Sequence, residues 1–150
     1  MGHTFSDILI HAIFSTKDRK AIIVPTFQQR LYEYLAGVAR QEFGQALRIG
    51  GTANHVHGLI RLRTDVSVAE AMRKWKSLSS GWVHDTFPDG RGFAWQVGYG
   101  AFGVSGPRKD AVIQYIDGQA EHHRKVTFEE EFEGLLRKYG IAYDPRYIWG

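Results

Sequence analysis

The sequence predicts an α+β domain: a ferredoxin-like split βαβ antiparallel sheet with helices on one face, plus C-terminal helices. Three observations carry that expectation. Segments with strand and helix spacing follow one another in the order strand, helix, strand, strand, helix, strand. Two more helical segments come after the last strand. The 150 residues, 43% hydrophobic and 13% aromatic, suffice for one core and show no repeat or linker, so residues 1–150 are expected to form a single domain.

From Phe5 to Ser15 the run FSDILIHAIFS is rich in Ile and Phe and breaks into Lys17, Asp18, Arg19 and Lys20, the pattern of a central strand ending in a basic loop. Pro25 and Thr26 open a helix in which Phe27, Leu31, Tyr34, Leu35 and Val38 recur at helical spacing to about Phe43, with Gln29 as capping partner of Thr26. Ala46 to Gly51 and Val56 to Leu62 read as a hairpin turned at Thr52, Ala53 and Asn54. Ser67 and Glu70 form a capping-box pattern before Val68, Ala71, Met72, Trp75, Leu78, Ser79 and Trp82, which predicts a second amphipathic helix to about Asp85.

The aromatic and glycine-rich run Phe93 to Ser105 reads as a strand, bulged or close to another backbone. Gly106 and Pro107 start a third helix with Val112, Ile113 and Ile116 on one side, which carries Gly118 at a cost of about 1 kcal/mol, a sign of crowding or bending there. Thr127 with Glu130 caps a last helix to about Tyr139, stopped by Gly140. An aromatic tail from Tyr143 to Trp149 is expected to pack on the domain.

The net charge of +3 and pI near 9.2 lean toward a polyanionic partner. There is no cysteine, which excludes a disulfide framework and a thiolate metal site; a metal would sit on His, carboxylate, amide or water. No stretch approaches the roughly 20 apolar residues that span a bilayer, and Met1 to Ser6 lacks a charged-then-apolar signal. A cytoplasmic protein without membrane association is expected.

Two sets of residues have informative spacing. His55 and His57 stand two apart on a strand, so both imidazoles share one face while Val56 points to the other. Such a pair suits a divalent cation and equally suits an ordinary sheet surface. Tyr115 and Gln119 stand four apart on a helix and share its face: the phenol is a candidate nucleophile, the Gln carbonyl a ligand for a hard cation. His11 reads as a core histidine, His122 and His123 as bystanders, and the Glu129 to Glu133 run as a solvated helix face.

With those residues in place the chain resembles the single-tyrosine transposases of the His-hydrophobic-His superfamily, especially the group associated with repetitive extragenic palindromes. The matching runs, in order, are ANHVHGLI at Ala53 to Ile60, SVAEAMRKWKSLSSGW at Ser67 to Trp82, WQVGYGAFGVS at Trp95 to Ser105, YIDGQAEHH at Tyr115 to His123, and YIW at Tyr147 to Trp149. The resemblance implies that His55, His57 and Gln119 hold a divalent metal, Mg²⁺ or Mn²⁺. It implies that Tyr115 forms a 5′-phosphotyrosine on single-stranded DNA and leaves a free 3′-OH. Many members of the family carry an acidic residue where this chain has Asn54.

The resemblance further implies hairpin-bearing single-stranded DNA as partner and a homodimer, in some relatives with the tyrosine helix exchanged between copies. Arg73, Lys74 and Lys76, with Lys17, Arg19 and Lys20, are the candidate phosphate contacts, and Trp75 a candidate stacking platform. A hairpin-DNA-binding protein that no longer cleaves, and a phosphodiesterase that only hydrolyses, are the alternatives.

Overall fold

The computed structural model describes residues 2–149. Four strands, β1 (Ile8–Ser15), β2 (Gly44–Thr52), β3 (His55–Leu62) and β4 (Gly100–Val104), alternate with helices α1 (Pro25–Glu42), α2 (Val68–Thr86), α3 (Lys109–Asp117), α4 (Gln119–His122) and α5 (Phe128–Lys138). The sheet order is β2-β3-β1-β4 and the paired neighbours are antiparallel. That is the expected ferredoxin-like arrangement: each βαβ unit is split by the insertion of a strand from the other.

Strand alternation assigns the two faces of the sheet. Ala12, Phe14, Val56, Ile60 and Leu62 are buried in one core together with Leu31, Leu35 and Val38 of α1 and Met72, Trp75 and Val83 of α2. On the opposite face His11 stands across from Leu59, and Ile13 across from His57. There Ile116 of α3 packs on Leu9 and Leu59, and Phe128, Phe132 and Leu136 of α5 pack on Ile13 and Phe102. The first two helices therefore cover one face, and the C-terminal helices roof the face that carries the histidines.

The close fit of that roof depends on two glycines. A Cβ on Gly50 of β2 would lie 2.7 Å from Ile116 Cγ2 and 2.8 Å from the Ile116 carbonyl oxygen, and one on Gly100 of β4 would lie 2.8 Å from the Phe132 ring. The carbonyl belongs to the α3 backbone and yields only if the helix moves. Gly50→Ala is expected to cost about 1–3 kcal/mol of stability, measured as a lower denaturation midpoint, and to lift α3 from the sheet. An unchanged midpoint would contradict this packing.

Several boundaries differ from the sequence reading. The first strand begins at Ile8, and Phe5 is 92% exposed. α1 opens with Pro25 at its first turn after Val24, without a Thr26 cap, while Gln29 contacts Glu33. The predicted strand over Phe93–Ser105 is regular only from Gly100 to Val104. Ahead of it the chain is tied by a bridge between Thr16 and Trp95, by Gln96 N–H to the Ser15 carbonyl at 2.9 Å, and by Lys76. The third helix breaks at Gly118, whose backbone leaves helical geometry at ψ 11°, so the one-turn α4 starts at Gln119. The other two predicted caps are present: Ser67 accepts from Glu70 N–H, and Thr127 and Glu130 make a full capping box. In the tail Tyr143, Ile148 and Trp149 pack beside Phe128 and Phe132, while Tyr147 stays exposed.

Candidate metal centre and nucleophile

β3 begins at His55, and its period of two places His55 and His57 on the roofed face, both fully buried. α3 brings Tyr115 over them, its ring centroid 5.7 Å from that of His57, and the turn into α4 delivers Gln119, whose Oε1 lies 2.8 Å from His55 Nε2. The four residues singled out by spacing therefore meet, and they meet within a single chain.

At their centre stands a residue that the sequence reading assigned to solvent. Glu131 of α5 is 5% exposed; its Oε1 lies 3.1 Å from His57 Nε2, 3.4 Å from His55 Nε2 and 3.0 Å from His123 Nε2. Its Oε2 accepts from Gln119 Nε2 at 2.9 Å and from the Tyr115 hydroxyl. The solvated-face expectation for Glu131 and the bystander expectation for His123 are thus both corrected. Helical period carried the signal: Glu131 shares a stripe with Phe128, Phe132 and Leu135, and His123 stands four residues after Gln119.

The donor set fits a cation. One ligand atom each from His55, His57, His123 and Glu131 lie within 4.8 Å of one another. Ligands about 2.0–2.2 Å from a metal stand about 3 Å apart, in line with the contacts above. The proton inventory agrees. His55 Nδ1 is 2.9 Å from both Asn54 Oδ1 and Thr52 Oγ1, and Thr52 itself donates to Asn54 Oδ1, so Nδ1 carries the ring proton. That leaves a lone pair on Nε2 facing Gln119 Oε1, which is turned that way because its amide N–H₂ donates to Glu131. Two lone pairs face each other at 2.8 Å, a contact that a cation between them converts into attraction.

Burial, reinforced by the neighbouring His57, pushes His55 and His11 down to about 3, so both rings are neutral and able to act as lone-pair donors. His57 is lowered for the same first reason. His11 meets the core expectation: it is buried and its Nε2 shares a proton with His57 Nδ1 at 2.7 Å, which orients that ring. Burial alone would raise Glu131, but hydrogen bonds from His57, Tyr115 and Gln119 outweigh it and hold the carboxyl well below its usual range. Burial and the Glu131 carboxylate push the Tyr115 phenol above its usual range.

The candidate phosphate contacts divide by face. Trp75 lies in the core, its indole N–H donating to the Leu35 carbonyl at 2.9 Å, and so offers no stacking surface. Arg73 pairs with Glu70 at 2.9 Å and Lys74 with Glu42 at 3.3 Å, on the face away from the histidines. Lys76 donates to the carbonyls of Gln96, Val97 and Gly98 at 2.5–3.1 Å and pins the segment before β4; burial pushes its pKa down to about 8. Lys17 and Lys20 are exposed, and Arg19 pairs with Glu129 at 3.7 Å and lies over the Trp149 ring. The Asn54 amide reaches the Arg19 carbonyl, so this basic loop borders the His55 turn.

Comparison with known proteins agrees with the fold. Residues 4–119 match the family described as transposase, IS200 like. A protein of Deinococcus radiodurans R1 described as a candidate transposase shares the fold with a TM-score of 0.62 and 21% identity, over 79% of this chain and 96% of its own. A REP-associated tyrosine transposase bound to a REP hairpin aligns with a TM-score of 0.62 and 14% identity, over 84% of this chain and 74% of its own. No curated protein matches the sequence. The matched segment contains His55, His57, Tyr115 and Gln119, whereas His123 and Glu131 lie beyond it.

Proposed function

For a chain that belongs to the IS200-like transposase family, we propose that the reaction is cleavage and rejoining of single-stranded DNA through a 5′-phosphotyrosine on Tyr115. The reaction depends on a divalent cation, Mg²⁺ or Mn²⁺, held by His55, His57 and Gln119, with Glu131 and His123 completing the donors. One observation supports this above the others: the Tyr115 hydroxyl and the whole donor set converge on a single buried carboxylate.

A phosphodiester resists attack because charge builds on its non-bridging oxygens, and the bound cation would offset that charge by several kcal/mol. Tyr115 supplies the attacking oxygen. Glu131 holds the phenol in place and is positioned to receive its proton as the bond to phosphorus forms. The bond from phosphorus to the 3′ oxygen breaks in the same step, and the released 3′ oxygen takes up a proton to leave as a 3′-OH. The phosphotyrosine conserves the phosphodiester bond, so a DNA 3′-OH can displace Tyr115 and rejoin strands without ATP.

The partner is single-stranded DNA bearing a hairpin, as in the REP-hairpin complex of the similar structure. Lys17, Arg19 and Lys20 are the phosphate contacts beside the site. Arg73 and Lys74 would serve a part of the hairpin that reaches the opposite face, and Lys76 would act by holding the loop before β4. The homodimer follows from the resemblance alone, and the composite site already forms within one chain. The protein acts in the cytoplasm; among the described residues no helix is long and apolar enough to cross a membrane.

Addition of Mn²⁺ to chelated protein tests the metal centre. At 100 times its dissociation constant the ion contributes about 2.7 kcal/mol, which raises Tm by about 5–10 °C for a domain of this size. The shift is expected to vanish in His55→Ala. A Tm indifferent to Mn²⁺ and Mg²⁺ would remove the cation from the mechanism.

A further inference from the structure

Beside the metal centre, on the far side of Tyr115, lies a half-open cavity of about 390 Å³ between the start of α3 and the end of α5. Its wall includes His11, Arg108, Ala111, Tyr115, Lys138 and Tyr139, but no metal donor and no acidic side chain. We propose that this cavity seats the nucleotide that Tyr115 joins through its 5′-phosphate, with Arg108 and Lys138 on the phosphates and Tyr139 against the base. The assignment rests on the reading of Tyr115 as nucleophile.

Charge, shape and position support it. Some exposed cations of this chain are matched with carboxylates, among them Arg48, Arg63, Arg73 and Arg124, whereas others, such as Lys17, Arg40 and Lys125, make no ion pair among the described residues. Arg108 and Lys138 belong to the unpaired group, and they line one opening together, Arg108 from the turn before α3 and Lys138 from the end of α5. Uncompensated positive charge around a concave opening draws a polyanion. The Tyr139 ring is stacked on Phe102 at 4.6 Å and 20°, which fixes its orientation, and it remains 45% exposed. A pinned aromatic beside two cations is the combination that holds single strands, one base stacked and its phosphates paired. The volume falls in the range of pockets that enclose small organic ligands, above about 300 Å³.

Tyr115 links the two compartments. Tyr115 lines the cavity while its hydroxyl reaches Glu131, so a nucleotide bonded to that oxygen would adjoin the cavity that Arg108 and Lys138 also line. Lys138 continues the stripe of α5 that carries Glu131 and Leu135. The helix that completes the metal donors thus also supplies one wall of the cavity.

Binding of fluorescein-labelled hexathymidylate in chelator, where no cleavage occurs, isolates the cavity from the chemistry. Arg108→Gln and Lys138→Gln are each expected to raise Kd by about fivefold or more and to flatten the salt slope by about 0.7. Tyr139→Ala is expected to raise Kd by about tenfold, and Ala111→Phe, at an exposed position on the wall, to weaken binding by filling the space. Arg40→Gln, an equal loss of charge on α1, serves as control and is expected to change Kd less than twofold. Equal effects at Arg40, Arg108 and Lys138, or none at all, would overturn the proposal. The same variants are assayed with Mg²⁺ for a covalent adduct. An adduct in wild type combined with unchanged Kd in the cavity variants sinks the cavity and spares the nucleophile. Weakened binding in those variants with no adduct in wild type sinks the nucleophile and leaves a nucleotide pocket.

Discussion

Tyr115→Phe is expected to reduce cleavage of single-stranded DNA by at least about 10⁴-fold, to abolish the covalent adduct, and to leave DNA affinity within about threefold of wild type. The ring of Tyr115 is held by edge contacts to His11 and His57 and by His122, with centroids 5.6–5.9 Å apart, and phenylalanine preserves all of them. Only the hydroxyl is lost, and with it one of the hydrogen bonds to Glu131; Gln119 remains as a donor to the same oxygen. Fold and groove therefore persist while the attacking atom is gone. Denaturing gels and fluorescence anisotropy on the same preparation separate the two quantities. Cleavage retained within tenfold would transfer the nucleophile elsewhere.

His57→Ala is the second large expectation. Its Nε2 faces Glu131 and its Nδ1 faces His11, so alanine removes a donor and frees both neighbours at once. Cleavage is expected to fall on the order of 10³-fold, equivalent to the several kcal/mol that a cation contributes to a phosphoryl transition state. The Mn²⁺-dependent rise in Tm is expected to disappear, while hexathymidylate binding in chelator stays close to wild type. That pattern differs from Tyr115→Phe, in which the Tm response to metal survives. Metal-dependent cleavage within tenfold of wild type would exclude His57 from the donor set.

Sequence periodicity revealed the parts of this protein in which a local rule and the tertiary structure agree. The period of two put His55 and His57 on one face, and the spacing of four paired Tyr115 with Gln119, which the bend at Gly118 brings to His55. The ferredoxin-like strand order followed from element order alone. The misses have physical causes. Glu131 sits among Glu129, Glu130 and Glu133, and a run of like charge normally faces water. Its own stripe, with Phe128 and Leu135, pointed inward, but that becomes decisive only once three histidines wait on the sheet below. Lys76 looked like a surface cation because nothing local shows that three carbonyls twenty or so residues away will converge on it. The segment before β4 lacked strand geometry for the same reason: its partners are a side chain and the end of β1, and a ladder is absent. Gly118, by contrast, reads in the sequence as a sign of crowding or bending, and the chain does bend there and delivers Gln119 to His55.

End-labelling shows which atom carries the DNA. Single-stranded DNA from beside the gene, labelled at the 3′ end in one tube and the 5′ end in another, is incubated with protein and Mg²⁺ or chelator. The products are resolved on a denaturing gel, and the adduct is digested for mass spectrometry. The expected adduct is metal-dependent, carries only the 3′ label, and maps to the peptide containing Tyr115, while the 5′-labelled fragment ends in a free 3′-OH. Cut DNA bearing a free 5′-phosphate with no adduct, or an adduct on any other residue, would contradict the account.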